Sequence, residues 1–157
     1  MGKNIIAEKT QLQGKLCYTV YKNKVPIERF SDCNLIMDAI RSKCLHIFAG
    51  DLLGDAASDI EGLSINRIAF GTSGGDINAD CAEITTPFFK DVKRFDYPNK
   101  YQVRFFWELL EHEANGMAIN EFGLITNDGS LFSRRTREEP LQKEGDIAIE
   151  GEWIISI

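Results

Sequence analysis

Gly71, Gly74 and Gly75, with Thr72 and Ser73 among them, follow the run RIAF at residues 67–70. Glycines at a strand end can cradle a phosphate, because backbone N–H groups then approach the anion closely. A P-loop also needs a lysine followed by Ser or Thr at the mouth of a helix. "GTSGGD" has no such lysine, no helical pattern follows it, and Asp76 would place negative charge beside the anion. A dinucleotide fingerprint needs GxGxxG inside a βαβ unit, and neither the spacing nor the setting is present. The stretch therefore reads as a glycine-enabled turn or bulge, with no cofactor.

"ELLEHE", with Glu108, Glu111, His112 and Glu113, lacks the HExxH spacing that sets two histidines on one helical face. Acid–base work would need two of these carboxylates to converge on a pocket; a solvated rim at a strand end is the plainer reading. Ser64 and Ser73 have no nucleophile elbow around them. Cys17, Cys33, Cys44 and Cys81 form no CxxC pair, and the two histidines, His46 and His112, do not complete a zinc set. Reduced cysteines acting as small core residues are expected, with no metal.

Glu121 interrupts the apolar alternation between Ile119 and Gly123. A carboxylate turned inward there needs a compensating donor, and Arg134 or Arg135 across the following hairpin supplies one. An exposed sheet face is the alternative. Either role is architectural rather than catalytic.

The elements that must position these residues are mostly strands. Residues 15–21 alternate, "YKNK" turns, and a second extended piece runs from Val25 to Phe30. Ser31 or Asp32 is a helix cap, and Ile36, Ile40, Cys44 and Ile47 form a helical stripe, widened by Met37 and Phe48 and stopped by Gly50. "LSINRIAF" is a strand ending at Gly71, and Gly71–Pro87 has little regular pattern. In "YQVRFFWELL" one face carries Tyr101, Val103, Phe105, Trp107 and Leu109, while Phe106 and Leu110 make the other face partly apolar. "AINEFGLI" leads to Asp128-Gly129, a hairpin signal, and "SLFSRRT" returns. The last strand, 147–157, sets Ile147, Ile149, Trp153, Ile155 and Ile157 on one face.

These signals predict a mainly β (α+β), antiparallel β-sandwich-like domain with one substantial helix in its N-terminal half. Residues 1–14 are expected to be an arm or edge segment and 15–157 a single structural domain. The chain has 157 residues, 43% of them hydrophobic, enough for a packed core. A net charge of −6 gives no support to a nucleic-acid surface, and the basic cluster "RRTR" runs straight into Glu138 and Glu139. No secretory segment opens the chain and no run approaches a membrane span, so folding in a cytoplasm-like compartment is expected.

Two separated stretches, "INRIAFGTSGG" and "INEFGLITNDGSLFSRR", together resemble segments of bacteriophage tail and baseplate-associated structural proteins, including the attachment domains that begin tail fibres. There a strand leads to a GTG-like bend, followed by "E-x-GL", a turn with Asp or Asn and Gly, and "LF-x-R". The matching pieces are Ile68–Gly74, Glu121–Leu124, Asp128-Gly129, and Leu131-Phe132 with Arg134. The final strand with Trp153 and the helix before "GDLLGD" fit the same order. The resemblance spans about Asp32 to the last residue, in pattern rather than close identity. It lacks the shaft or tip that normally follows an attachment domain, which favours a small connector, adaptor or baseplate component. It implies a homo-oligomer, as rings or trimers, with other tail or virion proteins as partners, folded in the host cytoplasm and located in the virion.

The expected function is thus a non-enzymatic structural subunit of a phage tail, baseplate or connector assembly. Residues 1–14 and the loops at 50–62 and 71–87, with Gly71, Thr72, Ser73, Gly74 and Gly75 foremost, would meet neighbouring subunits. The alternative is a carbohydrate- or host-surface-binding module, which requires Phe95, Tyr97 and Tyr101 to be exposed. A small hydrolase would require Glu108, Glu111 or His112 to converge on a pocket.

Overall fold

The computed structural model describes residues 12–50, 61–75 and 83–157. Strand β1 (Gln13–Lys22) buries Leu16, Tyr18 and Val20 on one face, as its alternation requires. It takes in the last two residues of the expected arm: Gln13 and Gly14 already pair with Ser156 and Ile155. Cys81 and residues 51–60 lie outside the described residues, as does most of the arm.

Asn23 and Lys24 both take positive φ, the signature of a tight hairpin whose twist matches its strands. Strand β2 (Val25–Ile36) then runs past the expected helix cap. Ser31 and Asp32 stay extended because they pair with Cys17 and Leu16, and the Met37 N–H is still bonded to the Phe132 carbonyl. Helix α1 (Asp38–Ala49) starts only after that bond. Ile40 is buried, Cys44 and Ile47 are half-buried, and Phe48 points outward, contrary to its expected place on the stripe. Gly50 ends the helix in the left-handed region, its N–H reaching the His46 and Ile47 carbonyls.

After a 3₁₀ turn at Glu61–Leu63 come β3 (Ile65–Gly71), β4 (Phe88–Asp91), β5 (Arg94–Asn99), β6 (Gln102–Leu109), β7 (Ala118–Thr126), β8 (Leu131–Gln142) and β9 (Ile147–Ser156). All pairings are antiparallel. Their order is β4-β3-β7-β8-β2-β1-β9-β6-β5, folded into two layers. Strand β2 turns one corner, pairing along β1 and then through Leu35 and Ile36 with β8. The other corner is Val92-Lys93: the Val92 N–H bonds Asn66 of β3, and the next N–H bonds Phe106 of β6. One strand path thus closes each side, which leaves less open edge than two free sheets would present.

The protein is therefore mainly β, an antiparallel sandwich-like fold with one α-helix among the described residues. Tyr18, Trp107 and Trp153 from one layer meet Ile68, Phe70 and Phe122 from the other in a single buried cluster. The ring centroids of Tyr18 and Phe122 are 4.8 Å apart, and those of Phe70 and Trp107 are 5.5 Å apart. Each large apolar side chain buried this way contributes about 1.5–3 kcal/mol. No described helix is long and apolar enough to cross a membrane.

Candidate functional site: a loop latched by a buried ion pair

Strand β7 is buried on both faces from Glu121 to Thr126. Its inner face carries Phe122 and Leu124 into the core. Its outer face would meet water, but the chain after β3 folds back across it and lays Ile84 against Gly71 and Gly123. Gly71 stands opposite Glu121, and Gly123 opposite both Ala69 and Arg134. A Cβ at Gly71 would overlap Ile84 and the Glu121 carboxylate, and one at Gly123 would lie 2.6 Å from Ile84. None of Gly71, Gly74 and Gly75 has positive φ. The first glycine is thus required by close approach, which corrects the expectation of a turn that only glycine could make.

Glu121 has no exposed surface. Its Oε2 accepts from Arg134 Nε at 2.7 Å, and its Oε1 accepts the N–H groups of Ser73 at 3.2 Å and Thr85 at 2.7 Å. Arg134 also donates through Nη2 to the Ser73 carbonyl at 3.4 Å. Asn120 Nδ2 donates to the Thr72 carbonyl, the Thr72 N–H to Thr85, and the hydroxyls of Thr72 and Thr86 meet at 2.9 Å. A buried carboxylate is tolerated when charge and donors compensate it, and here a cation and two backbone N–H groups do so. The pair and the glycine loop, read separately in the sequence, form one structure. Gly71 is buried, Thr72 and Ser73 are half-buried, and Gly74 and Gly75 are exposed. Arg135, the other candidate partner, instead reaches Asp32 at 2.6 Å.

The acidic run takes separate partners. Glu108 meets Lys93 at 3.0 Å; Glu113 meets Lys90 at 2.6 Å and accepts the Leu110 N–H. The ammonium of Lys90 and these hydrogen bonds hold the Glu113 carboxyl below its usual range, against the effect of burial. The Glu111 carbonyl serves Lys143. Glu108 lines a cavity of about 550 Å³ on the outer face of the β1–β9–β6 layer, without Glu111 or His112. Cys17 lies 3.4 Å from the Ser31 hydroxyl, Cys33 is exposed, and burial pushes the Cys44 thiol up. The Ser64 carbonyl accepts from Asn127. Among the described residues no group of three or more His, Cys, Asp or Glu is placed to hold a metal.

Two positioning residues have little sequence signal. Ile84 lies in a stretch without a pattern. Lys143, in the polar turn before β9, is fully buried, and its Nζ donates to the Glu111 carbonyl, Asn115 Oδ1 and the Glu144 carbonyl at 2.9–3.0 Å. Burial lowers its pKa, opposed by the nearby carboxylates. This clasp holds the β6–β7 loop, where Ala114 and Gly116 take positive φ.

Fold and site together define an antiparallel β-sandwich in which Ile84 covers Gly71 and Gly123 on the outer face of β3 and β7, and the Glu121–Arg134 pair holds the segments at Ser73 and Thr85. Comparison with protein-family models, curated proteins and solved structures gives no match.

Proposed function

We propose that this protein is a non-enzymatic structural subunit of a phage tail, baseplate or connector assembly, acting through subunit–subunit contacts. The observation that supports this reading most is the meeting of the two motif stretches. Glu121 of "INEFGL" binds the Ser73 N–H of "GTSGG", and Arg134 of "LFSRR" completes the pair. A latch that fixes Ser73 and Thr85 while leaving Gly74 and Gly75 exposed suits rigid presentation to a neighbour, since little ordering entropy is then lost on assembly. The reading places the protein in the virion tail after folding in the host cytoplasm, as a homo-oligomer with other virion proteins, without nucleic acid or membrane. Mass photometry of the pure protein, alone and with purified tail components, tests it. Self-association or a defined co-complex is expected; a strict monomer at high concentration that binds none of them overturns it.

The alternative, a carbohydrate- or host-surface-binding module, draws on the exposure of Phe95, Tyr97 and Tyr101. Its test is titration with a panel of oligosaccharides followed by tyrosine fluorescence, with saturable quenching as the result that favours it.

A further inference from the structure

The inner face of the β1–β9–β6 layer continues past the part that the second layer covers. Phe95 of β5 pairs directly with the buried Phe105 of β6, so both side chains lie on the core-facing side. Yet Phe95 is 59% exposed, Tyr97 two residues on is 70% exposed, and Tyr101 in the adjoining turn is 57% exposed. The Phe95 and Tyr97 rings meet edge-on with centroids 6.0 Å apart. We infer that this ledge is the contact through which a second copy of the chain docks, an inference that rests on the structural-subunit reading and names one of its surfaces.

Three observations favour a protein copy over a sugar. The nearby side-chain amides, which a pyranose would need, are turned to the other face: Gln102 and Ser156 alternate with inward Val103 and Ile155, Gln102 Nε2 donates to Ser156, and Asn99 Nδ2 donates to Gln102 Oε1. The Tyr101 ring face is occupied by the Lys100 ammonium, 4.9 Å from its centroid. The three rings also expose roughly 350 Å² together, close to half of what one partner contributes to a standard interface.

Charge placement specifies the arrangement. Exposed Asp91 ends β4 at the Val92–Lys93 corner that leads into β5, and exposed Lys100 directly follows β5. A two-fold axis crossing β5 near Asp96 sets Phe95 of one copy against the partner copy's Tyr97 and brings Lys100 toward the other copy's Asp91. Pro98 and the charged Arg94 and Asp96 discourage strand-to-strand pairing at this edge, leaving the ring faces as the contact. Such a pair is a building unit for a larger closed assembly.

Sedimentation velocity of the full chain tests the inference, with Tyr97→Glu, Lys100→Glu and the double swap Asp91→Lys/Lys100→Glu. These side chains are exposed, so thermal melts should match the parent and confirm folding. Tyr97→Glu is expected to weaken self-association by about tenfold or more. Lys100→Glu should weaken it less, and the double swap should restore it. If the parent associates and Tyr97→Glu associates equally well, the ledge is not the contact, while the structural-subunit reading stands. A monomeric parent overturns the ledge contact, and overturns the structural-subunit reading as well if it binds no purified tail component; one whose tyrosine signal saturates with an oligosaccharide assigns the ledge to glycan instead.

Discussion

Arg134 donates to Glu121 across 2.7 Å in the interior of the protein, and the same carboxylate receives the Ser73 and Thr85 N–H groups, which lie twelve residues apart in sequence. One side chain thus sets the register of a β hairpin and the path of the chain outside it. Glu121→Ala is expected to cost about 3–5 kcal/mol, since it strands a buried cation and two backbone donors. Arg134→Ala should cost a similar amount, and the double variant less than the sum of the two. Urea denaturation of the four proteins checks this; strict additivity would contradict the latch.

The glycines of the loop should separate by the space around them. Gly71→Ala is expected to cost about 3 kcal/mol, because Ile84 and the Glu121 carboxylate occupy the volume its Cβ needs. Gly74→Ala, where the nearest atoms of Asn120 lie 3.5 Å away, should change stability by about 0.5 kcal/mol or less. Thermal melts that rank the two variants equally would show that conformational freedom, rather than close approach, matters there.

Acid should loosen the two turns held by carboxylates. The Lys43 ammonium with the Thr126 and Ser130 hydrogen bonds holds Asp128 well below the usual carboxylate range, and Lys90 with the Leu110 N–H does the same for Glu113. A depressed folded pKa means that the unfolded chain binds protons first as pH falls. These contributions are therefore complete at neutral pH and decline below about pH 4. Glu113→Gln should flatten the acid limb of a stability–pH curve; an unchanged limb would contradict the assignment.

Lys143 follows the same rule at the alkaline end. Its folded pKa is depressed, so the unfolded chain holds the proton more tightly, and its contribution to stability grows as pH rises through the folded pKa toward the ordinary lysine range. Lys143→Met should remove that alkaline gain and increase amide exchange over residues 110–117, where two of the three Nζ acceptors, the Glu111 carbonyl and Asn115 Oδ1, lie. Exchange unaltered in that loop would rule out the clasp.

Where one local pattern decided the outcome, the sequence was informative. Alternation in β1 and β9, the Asp128-Gly129 turn and Gly50 at the helix end are local facts, and they are found where the residues put them. Glu121 was visible because it breaks an apolar run. The helix start was not, because Ser31 and Asp32 are cap residues in isolation and only pairing with β1 keeps them extended. Strands β4 and β5 were hidden by brevity, by Pro98 and by interspersed charges, although "RFDYPN" does alternate Phe95 and Tyr97 with polar neighbours. The joining of "GTSGG" to Glu121, and the place of Ile84 over Gly71 and Gly123, depend on contacts between distant residues that no single stretch encodes.

The central claim is that the latched loop presents an assembly surface. Its most direct test is mass photometry of the full chain beside Gly75→Arg, which adds bulk at an exposed glycine, where the nearest atom to an added Cβ is the Ser73 hydroxyl at 3.6 Å. The account predicts that the parent forms oligomers, alone or with purified tail components, and that Gly75→Arg keeps the parental melting curve while losing those complexes. A parent that stays monomeric and binds no tail component, or a Gly75→Arg protein that assembles as fully as the parent, would contradict it.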